Sequence, residues 1–362
     1  METKLIVLNN WTNNQIKLSE LDKIENKVFF DNREIKNYDK KSFEVINNLR
    51  IAGECHRQVR KFIQSEIKPG MKLYDICNSV ENKIIELSGA NNLKCGIGFP
   101  CGLSINNIAA HDSGNPNDKR ILKYDDICKI DFGVHRNQYI IDCAFSVAFD
   151  PKYEQLLNAA KDGMWTGIKK ARPDILINEI SKDIKEVIES YEIELNGNIY
   201  PIKSSKNLGG HTIDKNMIHA GKIVLGCPNP CSDRIRMEEN EIWAIEVFPS
   251  TGSGFMKTND NMETNHFMLK QSYNKSKFNF KQTNQVYNSI LSKRQNLPFC
   301  NRWLYNEFGD KYKIGLNELV KKNIVEPFPP LIDTIGSYNA QFEHTIYIHD
   351  YGTEVLSAGD DY

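Results

Sequence analysis

Two aspartates, Asp131 and Asp142, stand in apolar segments on either side of a short polar turn. Both segments alternate as strands do, and Arg136-Asn137 is predicted to form the two-residue tip of a hairpin. With that tip, the two aspartates face each other directly on one side of the ribbon, with Cβ atoms roughly 5 Å apart. Like charges at that distance destabilise a sheet, so we expect a positive partner between them. A hard divalent cation is the usual partner of buried, clustered carboxylates, and the hairpin therefore predicts a metal site.

Further candidate ligands occur elsewhere in the chain. Glu246 and Glu343 each lie in a segment that is too apolar to tolerate an unpaired charge. His211 follows two glycines, where the backbone can approach closely, and His219 and His111 are additional candidates. Each residue alone is more often structural, but the whole set favours a metal centre. Two arrangements without a metal stay open: aspartates that are solvated or share a proton, and acids that only stabilise a core.

The elements that must position these residues follow from the hydrophobic periodicity. Apolar residues at helical spacing predict helices at about 42–67, 73–87, 151–170 and 175–192. Alternating apolar and polar residues predict strands at about 93–99, 125–149, 221–225, 241–248 and 338–357. This order is typical of an α+β fold with two similar halves. Residues 267–326 are rich in Lys and Asn, contain helical stretches and end at a proline-rich stop, which predicts a helical insertion. We therefore expect an N-terminal segment (1–40), a main domain (41–266 and 327–362) and an insertion subdomain (267–326).

Composition limits the classes of function. The chain has 362 residues, 40% of them hydrophobic, and its 46 basic and 47 acidic residues leave a net charge of −1. A large core is therefore possible, and no net field draws the chain to nucleic acid or to an acidic membrane. Neither a membrane span nor a signal peptide is expected. Nine cysteines, an odd number, favour reduced thiols in the cytoplasm. The one close pair, Cys227 and Cys231, is better explained as a proline-rich loop than as a structural zinc site.

Several motifs taken together resemble those of type 2 methionine aminopeptidases, from about residue 40 to the C-terminus. The motifs that carry the resemblance are Asn106-Asn-Ile-Ala-Ala-His111, Lys129-Ile-Asp-Phe-Gly-Val-His135, Ile141-Asp-Cys-Ala-Phe145, Asn207-Leu-Gly-Gly-His211, Ile218-His-Ala-Gly-Lys222, Ala244-Ile-Glu246, Gln341-Phe-Glu-His-Thr345 and Gly359-Asp-Asp-Tyr362. The resemblance implies the pita-bread (creatinase/aminopeptidase) fold, in which two pseudo-symmetric α/β halves surround a dinuclear metal centre. The segment 267–326 is similar to the helical subdomain that distinguishes type 2 from type 1 members.

The resemblance also implies a role for each matching residue. The metal ligands would be Asp131, Asp142, His211, Glu246 and Glu343, holding two divalent ions such as Co, Mn, Fe or Zn. A metal-bridging hydroxide would attack the substrate carbonyl, Glu246 would transfer the proton, and His219 and His111 would contact the reacting amide. The substrate pocket would comprise Phe99, His111, Ile218, His219, His266 and Phe328. The implied activity is a hydrolase that removes the initiator methionine from nascent proteins with a small second residue, as a cytoplasmic monomer that associates with the ribosome.

The sequence departs from the family pattern at a few positions. Phe328 stands where a tyrosine is expected, Gly209 stands where relatives often have asparagine, and the loop 249–262 is slightly longer than usual. The highly charged N-terminal extension of many eukaryotic members is not expected here. Two alternatives use the same scaffold. A proline-specific peptidase would normally carry an extra N-terminal domain, and an RNA- or ribosome-binding module would have lost its metal ligands, whereas all five ligand positions are filled here.

Overall fold

The computed structural model describes residues 5–7, 40–259, 261–273, 277–350 and 352–362. Within these residues the helices are α1 (Lys40–Glu66), α2 (Leu73–Ser88), α3 (Glu154–Lys170), α4 (Ile177–Glu189), α5 (Lys281–Lys293), α6 (Asn301–Phe308) and α7 (Tyr312–Lys321). The strands are β1 (Leu5–Val7), β2 (Cys95–Ile97), β3 (Gly102–Ile105), β4 (Ile108–Ala110), β5 (Ile127–Arg136), β6 (Tyr139–Ala148), β7 (Glu192–Leu195), β8 (Asn198–Pro201), β9 (Gly209–Ile213), β10 (Ile223–Leu225), β11 (Ile242–Val247), β12 (Lys257–Thr258), β13 (His266–Leu269), β14 (Phe299–Cys300), β15 (Val325–Phe328), β16 (Leu331–Ile332), β17 (Phe342–His349) and β18 (Gly352–Val355). None of the described helices is both long enough and apolar enough to span a bilayer.

A four-stranded sheet forms around the predicted hairpin. Strands β2 and β3 pair with β5, and β6 also pairs with β5. The predicted tip is wrong: Arg136 pairs with Tyr139, and the turn residues are Asn137 and Gln138, with φ of 49° and 69°. Positive φ at both central positions is what a two-residue type I′ turn requires, and asparagine tolerates it well.

The corrected register changes which residues face the two aspartates. Asp131 pairs with Ala144 and Asp142 pairs with Gly133, so the predicted direct opposition is wrong. The aspartates are diagonal neighbours instead. They still share one face of the ribbon, because the pairing moves by two residues and side chains alternate with a period of two.

A six-stranded sheet in the order β1-β18-β17-β11-β9-β10 supplies the other ligand positions. Helices α3 and α4 pack on each other and against this sheet, with Gly163 and Gly167 placing α3 close to Ile188 and Ile184. Strand β1 pairs in parallel with β18 at one edge. The rest of the predicted N-terminal segment, residues 1–4 and 8–39, lies outside the described residues.

Side-chain hydroxyl groups join the two sheets where β6 runs beside β17. Thr345 Oγ1 accepts a hydrogen bond from the Asp142 N–H at 2.8 Å and donates one to the Asp142 carbonyl oxygen at 2.6 Å. Ser146 does the same for Gln341, accepting from its N–H at 2.8 Å and donating to its carbonyl oxygen at 2.9 Å. These bonds satisfy the buried backbone groups of Asp142 and Gln341 that face the neighbouring sheet, and they hold Asp142 beside the start of β17.

A second hydrophobic cluster lies within residues 267–325, apart from the main core. Most of its buried members come from β13, β14, β15 and the helices α5, α6 and α7, and include Phe267, Val286, Leu304, Leu316 and Leu319. Close approach of α5 and α7 depends on Gly315, since a Cβ there would lie 2.9 Å from the Gln282 carbonyl oxygen. The segment therefore buries apolar surface of its own, separately from the main core.

Candidate metal centre

Four carboxylates and one imidazole meet between the two sheets. Asp131 and Asp142 come from the β5–β6 hairpin, and His211, Glu246 and Glu343 come from β9, β11 and β17. One ligand atom each from Asp142, His211 and Glu343 lie within 4.8 Å of one another. His211 Nε2 lies 3.5 Å from Asp142 Oδ2 and 3.9 Å from Glu246 Oε1. The structure thus brings together all five residues that the sequence predicts as ligands.

Strand register explains this convergence. Glu246 and Glu343 are paired residues of the antiparallel strands β11 and β17, so their side chains leave the same face. His211 pairs with Ala244, two residues before Glu246, and therefore points to that face as well. Gly210 lets β9 approach β11 closely, because a Cβ at this position would lie 2.3 Å from the Ala244 carbonyl oxygen.

Gln341 belongs to the site although sequence reasoning gave it no role. Its Nε2 donates to Asp131 Oδ2 at 3.2 Å and to Glu246 Oε2 at 3.0 Å, so one amide group links acids from the two sheets. A signal was present in the sequence. Gln341 lies two residues before Glu343 in an apolar stretch that runs into β17, and this spacing is expected to place it on the same face.

The donor set fits a divalent cation. Among the described residues, Asp131 Oδ1 and both carboxylate oxygens of Glu343 are buried without a hydrogen-bond partner. Burial raises the pKa of Asp131 to about 6 and raises the pKa values of Asp142, Glu246 and Glu343 well above their usual range. Burial also lowers the pKa of His211, which keeps its ring neutral. Unsatisfied buried carboxylates beside a neutral imidazole are the ligands that hard to borderline divalent ions take.

A cavity of about 450 Å³ opens beside these ligands. It is lined by all six residues predicted to bind substrate, namely Phe99, His111, Ile218, His219, His266 and Phe328. The His219 ring stands edge-on to His211, with centroids 4.4 Å apart, and lies 6.2 Å from the Phe328 ring. The cavity lining is polar at the ligand residues and apolar at Phe99, Ile218 and Phe328, a part that we call the apolar end.

Backbone contacts fix two of the cavity histidines. His111 has a φ of 66°, and its Nδ1 lies 3.3 Å from the Pro329 carbonyl oxygen. Burial, together with the neighbouring His266 and His219, lowers the pKa of His111 to about 3, so this ring is neutral. His266 Nδ1 lies 3.1 Å from the His111 carbonyl oxygen, which ties the two positions together.

The position of the Phe99 ring in the cavity depends on the absence of a side chain at Gly133. A Cβ on Gly133 would lie 2.3 Å from Phe99 Cδ1, so the Phe99 ring rests directly on the backbone of β5. Gly209 likewise lines the cavity, and a Cβ there would lie 2.2 Å from the Val224 carbonyl oxygen.

Cys227 and Cys231 belong to no ligand cluster in the described part of the chain, and both thiols are free.

Comparison with known proteins identifies the family. The model of metallopeptidase family M24 matches residues 47–350. Methionine aminopeptidase 2-2 of Aspergillus niger is 44% identical over 93% of this chain and 79% of its own length. The structure of a thermophilic Arx1 matches with a TM-score of 0.74 at 17% identity, covering 88% of this chain and 92% of that one. Methionine aminopeptidase from Rickettsia prowazekii matches with a TM-score of 0.58 at 18% identity, covering 89% and 98%.

These findings carry different weight. At identities below 25%, the two structural matches show the fold alone, and it is the predicted pita-bread fold with its mixed helices and sheets. The family match covers most of the chain, and the sequence identity to the fungal relative extends over nearly all of it. The chain therefore belongs to metallopeptidase family M24 and, within it, to the type 2 methionine aminopeptidases.

Proposed function

We propose that this chain removes the N-terminal methionine from polypeptides whose second residue is small, using two divalent metal ions. The observation that carries the proposal is the meeting of Asp131, Asp142, His211, Glu246 and Glu343 beside an apolar cavity. Membership of family M24 supports the use of divalent metal. We further propose that the enzyme acts in the cytoplasm, as a monomer, on nascent chains at the ribosome, and that its ions are Co, Mn, Fe or Zn.

The five residues would together hold the two ions in this proposal, namely Asp131, Asp142, His211, Glu246 and Glu343. Bound divalent ions would supply Lewis acidity, which polarises a carbonyl group and lowers the pKa of a water molecule. Because Gln341 holds Glu246 Oε2 and Asp131 Oδ2, both carboxylates keep a fixed direction, with Asp131 Oδ1 left without a partner in the described chain.

Two groups of the chain then move or stabilise charge. Glu246 takes a proton on the cavity side and passes it to the leaving amine, because a carboxylate that lines the cavity can act first as general base and then as general acid. His219 is exposed in the cavity and stands against the His211 ring, where its imidazole can donate a hydrogen bond to the substrate carbonyl. His111 also lines the cavity, and in this proposal it contacts the scissile amide.

The apolar end of the cavity binds the methionine side chain. Phe99, Ile218 and Phe328 line it with carbon atoms, and His266 adds a ring that is neutral because burial lowers its pKa. A thioether is flexible and polarisable, and it packs well against aromatic edges. The pocket accepts an unbranched side chain more readily than a charged one, since a charge here would be buried without a partner.

A peptide panel tests the proposal directly. The purified chain is stripped of metal, titrated with Mn²⁺, Co²⁺, Fe²⁺ or Zn²⁺, and assayed on Met-Ala-Ser, Leu-Ala-Ser and an X-Pro peptide. We expect metal-dependent cleavage of Met-Ala-Ser above the other two. Faster cleavage of the X-Pro peptide would transfer the proposal to proline-specific peptidases. Activity that persists after removal of metal would contradict the metal-dependent mechanism.

A further inference from the structure

A charged residue of the segment 267–326 reaches the wall of the substrate cavity. Arg294, which follows α5, donates from Nη1 to the Ile97 carbonyl oxygen and from Nη2 to the Gly98 carbonyl oxygen, each at 2.8 Å. The same guanidinium donates to the Pro298 carbonyl oxygen, from Nη2 at 2.8 Å and from Nε at 3.2 Å. One planar group therefore binds two neighbouring carbonyls of the main domain and one of its own segment.

The charged guanidinium of Arg294 binds these carbonyl oxygens rather than a carboxylate. In the described chain every hydrogen bond of the Arg294 guanidinium goes to a backbone carbonyl oxygen, and its Cζ lies over the Trp303 ring, 4.9 Å from the ring centroid. Burial lowers the pKa of Arg294 to about 10, which shows that its charge is partly desolvated. Hydrogen bonds from a charged donor are stronger than neutral ones, and a forked, planar guanidinium can hold several acceptors in fixed directions.

The two carbonyls directly precede Phe99, the aromatic wall of the cavity. Gly98 N–H donates to the Gly133 carbonyl oxygen at 2.8 Å, and the Phe99 ring packs on Gly133. Arg294 therefore holds residues 97 and 98 from one side while β5 holds them from the other. Pro298, which the same guanidinium binds, also lines the cavity.

We infer that Arg294 is a positioning residue for Phe99, and that it makes the segment 267–326 a determinant of side-chain specificity. The inference rests on the proposed function, since it concerns the same pocket. Without the guanidinium, the loop at 97–99 has one anchor fewer, and the Phe99 ring can move away from the methionine side chain. The pocket then discriminates less well between an unbranched and a branched substrate residue.

The test compares Arg294→Met with Arg294→Lys, which keeps the charge but loses the fork, and with the neighbouring Lys293→Met as control. Lys293 is about half exposed and pairs with Glu307, away from the loop. We expect Arg294→Met to reduce the ratio of kcat/KM for Met-Ala-Ser over Leu-Ala-Ser by about three- to tenfold, mainly through KM. Arg294→Lys should lie between, and Lys293→Met should equal the unmodified enzyme.

Two further measurements separate positioning from a general structural role. Amide hydrogen exchange of a peptide covering residues 95–104 should become faster in Arg294→Met but not in Lys293→Met. In a Phe99→Ala background, Arg294→Met should change the Met/Leu ratio no further, because the group through which it acts is gone. If Arg294→Met does not fold, the same cycle is run with Arg294→Lys.

The inference is wrong if the Met/Leu ratio stays within twofold of the unmodified enzyme, or if the same loss appears again in the Phe99→Ala background. An unmodified enzyme that does not cleave Met-Ala-Ser would contradict the proposed function instead. In that event hydrogen exchange alone decides whether Arg294 positions the loop. Unchanged exchange at 95–104 would then overturn the inference, and faster exchange would support it.

Discussion

At the residue scale, the four acids of the cluster hold protons more tightly in the folded protein than in an unfolded chain. Burial raises all four pKa values, that of Asp131 to about 6. A raised carboxyl pKa contributes stability that is present below the unfolded value, about 4, and is lost as pH rises through the folded value. A cation reverses this loss because it binds the ionised form.

The first prediction follows from the direction of these pKa shifts. Metal binding must displace the protons of the acids, while the lowered pKa of His211 means that its ring is already neutral. We expect Mn²⁺ or Co²⁺ to raise Tm more at pH 7.5 than at pH 5.5, with affinity rising about tenfold per pH unit for each proton released. Differential scanning calorimetry with and without metal measures this. An increase in Tm that is the same at both pH values would contradict it.

The second prediction concerns His219, whose side chain is exposed in the cavity. His219→Ala should lower kcat by about 10²- to 10³-fold, the usual loss for a donor that stabilises a developing oxyanion. Metal content and thermal stability should change little, because the residue is not among the five ligands. His219→Gln, which keeps a donor, should recover part of the activity. If metal content and turnover fall together in His219→Ala, the assigned role is wrong.

At the scale of elements, the junction of β6 with β17 decides whether the two halves of the site meet. Thr345 completes both backbone hydrogen bonds of Asp142, and Ser146 does so for Gln341. A side-chain hydroxyl here does what a neighbouring strand does in a regular ladder. The ligands of the two sheets are therefore held in register by two small polar side chains.

The third prediction tests this junction. Thr345→Val keeps the shape but leaves the N–H and the carbonyl group of Asp142 buried and unpaired, and we expect a loss of about 1–3 kcal/mol in the free energy of unfolding. Metal affinity should fall as well, since Asp142 loses its alignment with Glu343. Thr345→Ser retains the hydroxyl and should lose much less. Equal urea midpoints for Thr345→Val and the unmodified chain would rule out this account.

At the scale of the whole molecule, a buried ion pair joins the segment 267–326 to the main core. Arg302 of α6 pairs with Glu81 of α2, and Glu81 also accepts hydrogen bonds from Trp303 Nε1 at 2.8 Å and from the Cys101 N–H at 3.0 Å. Arg302 and Glu81 are both almost completely buried. Together with Arg294, which binds the carbonyl oxygens of Ile97 and Gly98, this pair connects the second hydrophobic cluster to the main domain. The domain boundaries expected from the sequence remain a prediction.

The fourth prediction is that Arg302→Met destabilises the chain by about 3–5 kcal/mol, because it leaves the carboxylate of Glu81 buried without its cation. Adding Glu81→Gln should restore part of the loss by removing that charge. Lys293→Met, which breaks a largely exposed pair, should cost less than about 1 kcal/mol. Chemical unfolding of the four proteins measures this. A loss below about 1 kcal/mol for Arg302→Met would show that the pair is not needed.

The sequence by itself determined the family, the fold class and the identity of the four acids and the histidine that meet in the site. Acids in strands of Ile, Val and Phe carry a recognisable signal, since an apolar strand tolerates a carboxylate only when something pairs with it. That signal is local, and so are the helical and strand periodicities. Asp131 and Asp142 lie on one face, as predicted, although the predicted turn was wrong. The error moved the pairing by two residues, and side chains on a strand alternate with that period.

Only the tertiary structure decided which groups touch. The hairpin register depended on two residues with positive φ, Asn137 and Gln138, and the roles of Gln341 and Arg294 depended on contacts with strands and loops far away in the sequence. The sequence pattern alone does not show which group a side-chain amide or guanidinium will bind. The direction of such a group is set by packing and by the need to satisfy buried backbone groups, and these arise only when the two sheets and the segment 267–326 come together.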